Sequence, residues 1–146
     1  MDNYMNVTFP AISQNESFAR IVISAFVSQL NPTIEELADV KTAVSEAVTN
    51  SVIHGYKNKA GEITLAAKLI GNVVEIEVID KGVGIENIAL AREPFYTTMP
   101  DMERSGMGFT VMETFMDSVD VVSEKGGGTL VKMRKAIARS ESESDL

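Results

Sequence analysis

The chain has 146 residues, 45% of them hydrophobic, with 13 basic and 21 acidic side chains for a formal net charge of −8. That length and aliphatic content suit one globular domain around a single core. The absence of cysteine excludes a disulfide framework, thiolate metal sites and a cysteine nucleophile, and the acidic balance argues against direct nucleic-acid binding, which needs clustered Lys and Arg.

The N-terminal MDNYMNVTFP lacks the basic region and apolar core of a signal peptide, and no apolar run approaches the roughly 18–20 residues that span a bilayer. A cytoplasmic protein without membrane contact is expected. Residues 4–9 alternate, with Met5, Val7 and Phe9 on one face, and predict a short strand closed by Pro10. Ser13 and Glu16 have capping-box spacing and open a helix whose Phe18, Ile21, Val22, Ala25 and Phe26 form an apolar stripe, ending near Asn31-Pro32. Thr33 and Glu36 repeat that spacing. They open a second helix to about Ile53, with Leu37, Val40, Val44, Ala47, Val48 and Ser51 inward and Gly55 as its stop.

Two runs, Glu62–Ile70 and Val73–Asp80, flank the turn Gly71-Asn72 and predict a hairpin. A two-residue loop pairs 70 with 73, setting Leu69 opposite Val74, Ala67 opposite Ile76 and Leu65 opposite Val78 on one apolar face. The same register turns Asp80 inward opposite Ile63, where a carboxylate needs a partner. Residues 82–106 have no sustained period and read as a lid, with a short helix over Glu86–Arg92. A third helix follows from Gly108 to Asp117 with Phe109, Met112, Phe115 and Met116 inward. A last hairpin pairs Ser118–Glu124 with Thr129–Ile137. Lys132, Arg134 and Lys135 cluster there, and alternation assigns them to the solvated side of a strand. Residues 1–138 thus form one domain and 139–146 an acidic, disordered tail. The expected fold is α+β, a two-layer sandwich in which three helices cover one face of a mixed, mostly antiparallel sheet.

Glu46, Asn50 and His54 follow at i+4 steps along one flank of the second helix, a pattern that fits either a cleft wall or a solvated face. Gly82 and Gly84 follow the inward Asp80, which can accept from an amino group such as that of adenine; an ordinary strand-ending turn has the same composition. Ser105-Gly106-Met107-Gly108-Phe109 leads into a helix, where free backbone N–H groups make a phosphate cradle or simply a flexible loop. Thr129, after three glycines, offers a hydroxyl. The single histidine cannot build a zinc site, and the remaining oxygen ligands suit magnesium.

Taken in order, Glu46-xxx-Asn50, Asp80-x-Gly82-x-Gly84, Gly106-x-Gly108 and Gly128-Thr129 resemble the N, G1, G2 and GT boxes of the gyrase, Hsp90, histidine-kinase and MutL ATPases. Glu93–Thr98 resembles the phenylalanine box that precedes the histidine-kinase lid. The stretch Val44–His54 is similar to the anti-sigma factor serine kinases, and the whole chain resembles their sporulation branch. The resemblance implies the Bergerat-type ATP-binding fold, with ATP and Mg2+ as cofactors. Asn50 would hold the metal and Asp80 the adenine amino group. Gly82 and Gly84 would shape the adenine side, Gly106 and Gly108 would wrap the phosphates, and Glu46 would be the general base. His54, Thr97, Ser105, Met107, Phe109 and Thr129 complete the implied nucleotide contacts. Arg104, by position and charge at the lid's end, is a second catalytic candidate for steadying the transferring phosphoryl group.

With no separate histidine-bearing hairpin and no transducer domain in this sequence, a domain that acts on another protein in trans is expected. The resemblance implies a homodimer that captures a sporulation sigma factor in the ATP state and phosphorylates a serine of its anti-anti-sigma antagonist. The alternative is an ATP-dependent binding module or simple ATPase. Arg20, outward on the first helix, is either a partner contact or a solubilising residue.

Overall fold

The computed structural model describes residues 2–85, 88, 92 and 108–138. In chain order these form β1 (Asp2–Pro10), α1 (Gln14–Val27), α2 (Ile34–Asn50), β2 (Glu62–Ile70), β3 (Val73–Asp80), α3 (Gly108–Phe115), β4 (Ser118–Ser123) and β5 (Thr129–Ala136). The five strands make one sheet in the order β1-β2-β3-β5-β4. All four pairings are antiparallel, so the parallel component expected of a mixed sheet is not found among the described residues. The reason is topological: β3 and β4 run the same way, but β5 inserts between them. The β2–β3 register is the predicted one throughout, from Ile70 opposite Val73 to Ile63 opposite Asp80.

α2 packs between α1 and α3 on one face of the sheet. Its Val40, Ala43, Val44, Ala47 and Val48 are buried against Leu65, Leu69, Val74 and Ile76, each large aliphatic side chain contributing about 1.5–3 kcal/mol of transfer free energy. Its first turn carries the predicted capping box. Thr33 Oγ1 accepts Glu36 N–H at 3.1 Å, and Glu36 Oε1 accepts Thr33 N–H at 2.9 Å.

The matching motif at Ser13 does not form. Ser13 is already helical and makes no side-chain cap; Glu16 turns instead to Ser45 of α2 and to Arg20, 3.2 Å away. The apolar stripe of α1 is rotated as well. Ala19, Ile23, Phe26 and Val27 face inward, whereas Phe18, Ile21 and Ala25 are exposed. Ala19 explains the choice, because a small side chain admits the close approach of α2, leaving Phe18 to meet Phe9 edge-on at the margin.

On the open face of the sheet Glu75 bridges Lys132 at 3.4 Å and Arg134 at 3.2 Å, the solvated side expected there. Lys135 belongs to the other face, donating to Phe115 O at 2.8 Å with Asp39 3.7 Å away. Among the described residues no helix is long and apolar enough to cross a membrane. The 139–146 tail and most of the 86–92 helix lie outside the described residues.

Candidate functional site

The regular ladder of α2 stops at Asn50. Over Ser51–Gly55 the turn widens into a π-helical one, with Tyr56 N–H donating to Ser51 O at 2.9 Å, an i to i+5 bond. Glu46 and Asn50 therefore share a flank one α-turn apart, while His54, inside the widened turn, leaves the strict i+4 stripe. All three are half-buried.

The widened turn delivers Ser51 to Asp80. The two are buried together, Ser51 Oγ donating to Asp80 Oδ2 at 2.8 Å, and Gly82 N–H donates to Oδ1 at 2.9 Å. This is the partner that the inward carboxylate requires. A carboxylate has about four acceptor positions, so capacity remains for a donor from a ligand.

Close backbone approach builds the surrounding wall. A Cβ on Gly55 would stand 2.9 Å from Asp80 Oδ2, and one on Gly82 would stand 2.1 Å from Gly55 O. Val83 N–H donates to that same carbonyl at 2.8 Å. Gly84 and Gly128 both take left-handed φ, +76° and +82°, where a side chain would be strained. Gly126 N–H donates to Val83 O at 2.6 Å, tying the β4–β5 turn to the loop after β3. Tyr56 pins the other side: its hydroxyl accepts Lys81 N–H at 2.7 Å and donates to Glu62 O at 2.6 Å. Ser123 accepts Ile85 N–H at 2.7 Å. Thr129 lies opposite Asp80 in the β3–β5 register.

On the α3 side, Gly108 begins the helix against Asn50. A Cβ there would lie 2.9 Å from Asn50 Nδ2 and 3.1 Å from Oδ1. The Phe109 side chain is in the hydrophobic core, so its backbone is what it can offer a ligand. Arg92 donates to Glu113 Oε1 at 2.8 Å and to Val119 O at 3.0 Å. Thr97, Arg104, Ser105, Gly106, Met107 and the Glu93–Thr98 stretch lie outside the described residues.

The structure thus brings together Glu46, Asn50, Asp80, Gly82, Gly84, Gly108 and Thr129, with His54 at the widened turn. It adds Ser51, Gly55, Tyr56 and Ser123. Ser51 was legible as a polar residue within an apolar stripe; the other three act through backbone contacts that no spacing announces. The set suits a nucleotide. Asp80 presents acceptors, Thr129 a hydroxyl, and glycines line the approach. Asn50 supplies a neutral, hard oxygen of the kind magnesium takes alongside phosphates. Among the described residues no group of three or more His, Cys, Asp or Glu could hold a metal by itself.

Residues 9–135 match the histidine kinase-like ATPase domain family. The chain is 57% identical to the anti-sigma F factor of Clostridium acetobutylicum over 97% of its own length and 99% of that protein's. It is 60% identical to the anti-sigma F factor of Clostridium kluyveri, covering 92% of this chain and 94% of that one. A crystal structure of the RsbU and RsbW domains of a Mycobacterium tuberculosis protein superposes with a TM-score of 0.68 at 22% identity. The overlay covers 94% of this chain and 33% of that longer one, and shows a shared fold.

Proposed function

Because this chain belongs to the anti-sigma F factor family and carries a histidine kinase-like ATPase domain, we propose that it is an ATP-dependent protein serine kinase that also sequesters a sigma factor. In the ATP state it captures a sporulation sigma factor. It then phosphorylates a serine of the anti-anti-sigma antagonist, and ADP remains. The observation that carries this reading is Glu46, one helical turn before Asn50 on the flank of α2 that runs into the Asp80 pocket.

In this reading Asp80 accepts from the adenine amino group while Ser51 and Gly82 hold its carboxylate in place. Asn50 would hold Mg2+, which when bound would neutralise charge on the phosphates. Gly108 and the backbone that opens α3 face the phosphates. The partner's serine hydroxyl attacks the γ-phosphorus, the bond to the β–γ bridging oxygen breaks, and Glu46 accepts the hydroxyl proton. Arg104 steadies the transferring group.

The test incubates the purified chain with γ-labelled ATP and candidate antagonist proteins. Label on a partner serine supports the kinase reading; phosphate released only to water overturns it in favour of an ATPase. Glu46→Gln is expected to slow phosphorylation by about 10²–10⁴-fold while leaving the nucleotide Kd nearly unchanged. Normal phosphorylation by that variant would remove Glu46 from the role of base.

We further propose a homodimer. β1 is an edge strand, and the outer side of α1 leaves Phe18 44% and Ile21 68% exposed, with Ile12 nearby in the chain at 49%. Apolar side chains beside an unpaired edge suit a second copy.

A further inference from the structure

Ser123, the last residue of β4, is bonded in a way that reaches beyond the turn it begins. Its hydroxyl accepts Ile85 N–H at 2.7 Å and donates to Gly128 O at 2.8 Å, and it lies 2.8 Å from Thr129 Oγ1. A serine hydroxyl has one proton, and the carbonyl of Gly128 can only accept. With that proton spent on Gly128, the hydrogen between the two hydroxyls comes from Thr129. Thr129 Oγ1 then shows only lone pairs to anything else.

The sheet register places Ser123 opposite Thr129 and Thr129 opposite Asp80. The three form a polar row across β4, β5 and β3. At the other end of that row Asp80 is held by donors, Ser51 Oγ and Gly82 N–H, so as a carboxylate it too offers acceptors. We propose that Ser123 is a specificity-determining positioning residue. By taking the Thr129 proton it makes the Asp80–Thr129 pair an all-accepting edge, which selects a purine with an amino group at C6 over one with a carbonyl there. A carbonyl oxygen facing two acceptors leaves buried polar groups unpaired, the arrangement that discriminates most strongly between otherwise similar ligands. The inference rests on the reading of this pocket as the adenine site.

The experiment measures Kd for ATP and for ITP, its 6-oxo counterpart, on the full chain with magnesium. The unaltered protein is expected to prefer ATP. In Ser123→Ala the Thr129 hydroxyl is free to turn its proton into the pocket, and the ATP-over-ITP preference is expected to fall about tenfold. Ser123→Thr, which keeps the hydroxyl, should retain the preference. A purely structural role would weaken both nucleotides together and leave their ratio unchanged, and that result overturns the proposal. If Ser123→Ala does not fold, Ser123→Cys fills similar space with a weakly bonding thiol and is read by the same ratio. Equal binding of ATP and ITP by the unaltered protein would overturn the adenine reading itself, and with it this inference.

Discussion

Asp80 and Ser51 are buried side by side, and their bond is the chemical centre of the pocket. In Asp80→Asn one carboxylate oxygen becomes an amide donor. Turned toward Gly82 N–H it leaves that buried donor unmatched, at about 1–3 kcal/mol; turned toward Ser51, whose hydroxyl can accept it, its second proton replaces an acceptor that would face the ligand. The expected outcome is ATP binding weakened by tenfold or more, measured by calorimetric titration; an unchanged Kd would remove Asp80 from adenine recognition. Asp80 could be read from sequence because hairpin register is arithmetic: a two-residue turn and an alternating pattern assign every side chain to a face. Tyr56 and Ser123 could not, because what they hold is backbone of Lys81, Ile85 and Gly128, brought to them only by the folded loops.

Two segments carry the same capping signal, and only one caps. Thr33 has extended φ and ψ of −66° and 162° that present its hydroxyl to Glu36 N–H; Ser13, at −61° and −28°, is wound into the helix. Spacing specified both motifs, but backbone entry angle and the pull of Ser45 on Glu16 decided between them. The rotated stripe of α1 has a similar origin, since an amphipathic pattern defines a stripe while docking against α2 selects its centre. Thr33→Ala is expected to cost about 1 kcal/mol and to lower Tm by about 3 °C, measured by thermal unfolding. The Glu36 carboxyl has a further role. Burial pushes its pKa up, but hydrogen bonds from Thr33 N–H, Ala138 N–H and the Thr33 hydroxyl, with the charge of Lys135, bring it below the ordinary glutamate value. Because the folded state prefers the ionised form, this contribution is present above the unfolded pKa and is lost as pH falls through the folded one. Below that window the stability gap between Thr33→Ala and the unaltered protein should narrow to the part owed to the Glu36 N–H bond to Thr33 Oγ1, which does not titrate, and a gap that stays constant with pH would refute the coupling.

At the scale of the molecule, one sheet face is covered and the other carries the Glu75 bridge to Lys132 and Arg134. The α+β class followed from element order, whereas full antiparallelism required knowing that β5 would insert beside β3. Nothing in local pattern orders the strands of separate hairpins. The exposed side of α1 supplies the test of assembly. Ile21→Lys places a charge in the proposed dimer contact without touching the core, so sedimentation should show monomer while the circular dichroism spectrum is retained; a persisting dimer would place the contact elsewhere. The row Asp80–Thr129–Ser123 has one more consequence. Its members come from two hairpins, β2–β3 and β4–β5, joined along a single ladder, β3 to β5. On the proposed adenine reading, a nucleotide lodged across the row would act as a removable clasp on that seam, since it would bind only when the two halves are zipped. By mass action it would add about 2.7 kcal/mol against opening when free ligand stands at a hundred times Kd. The durability of the fold would then be partly borrowed from the nucleotide supply around it.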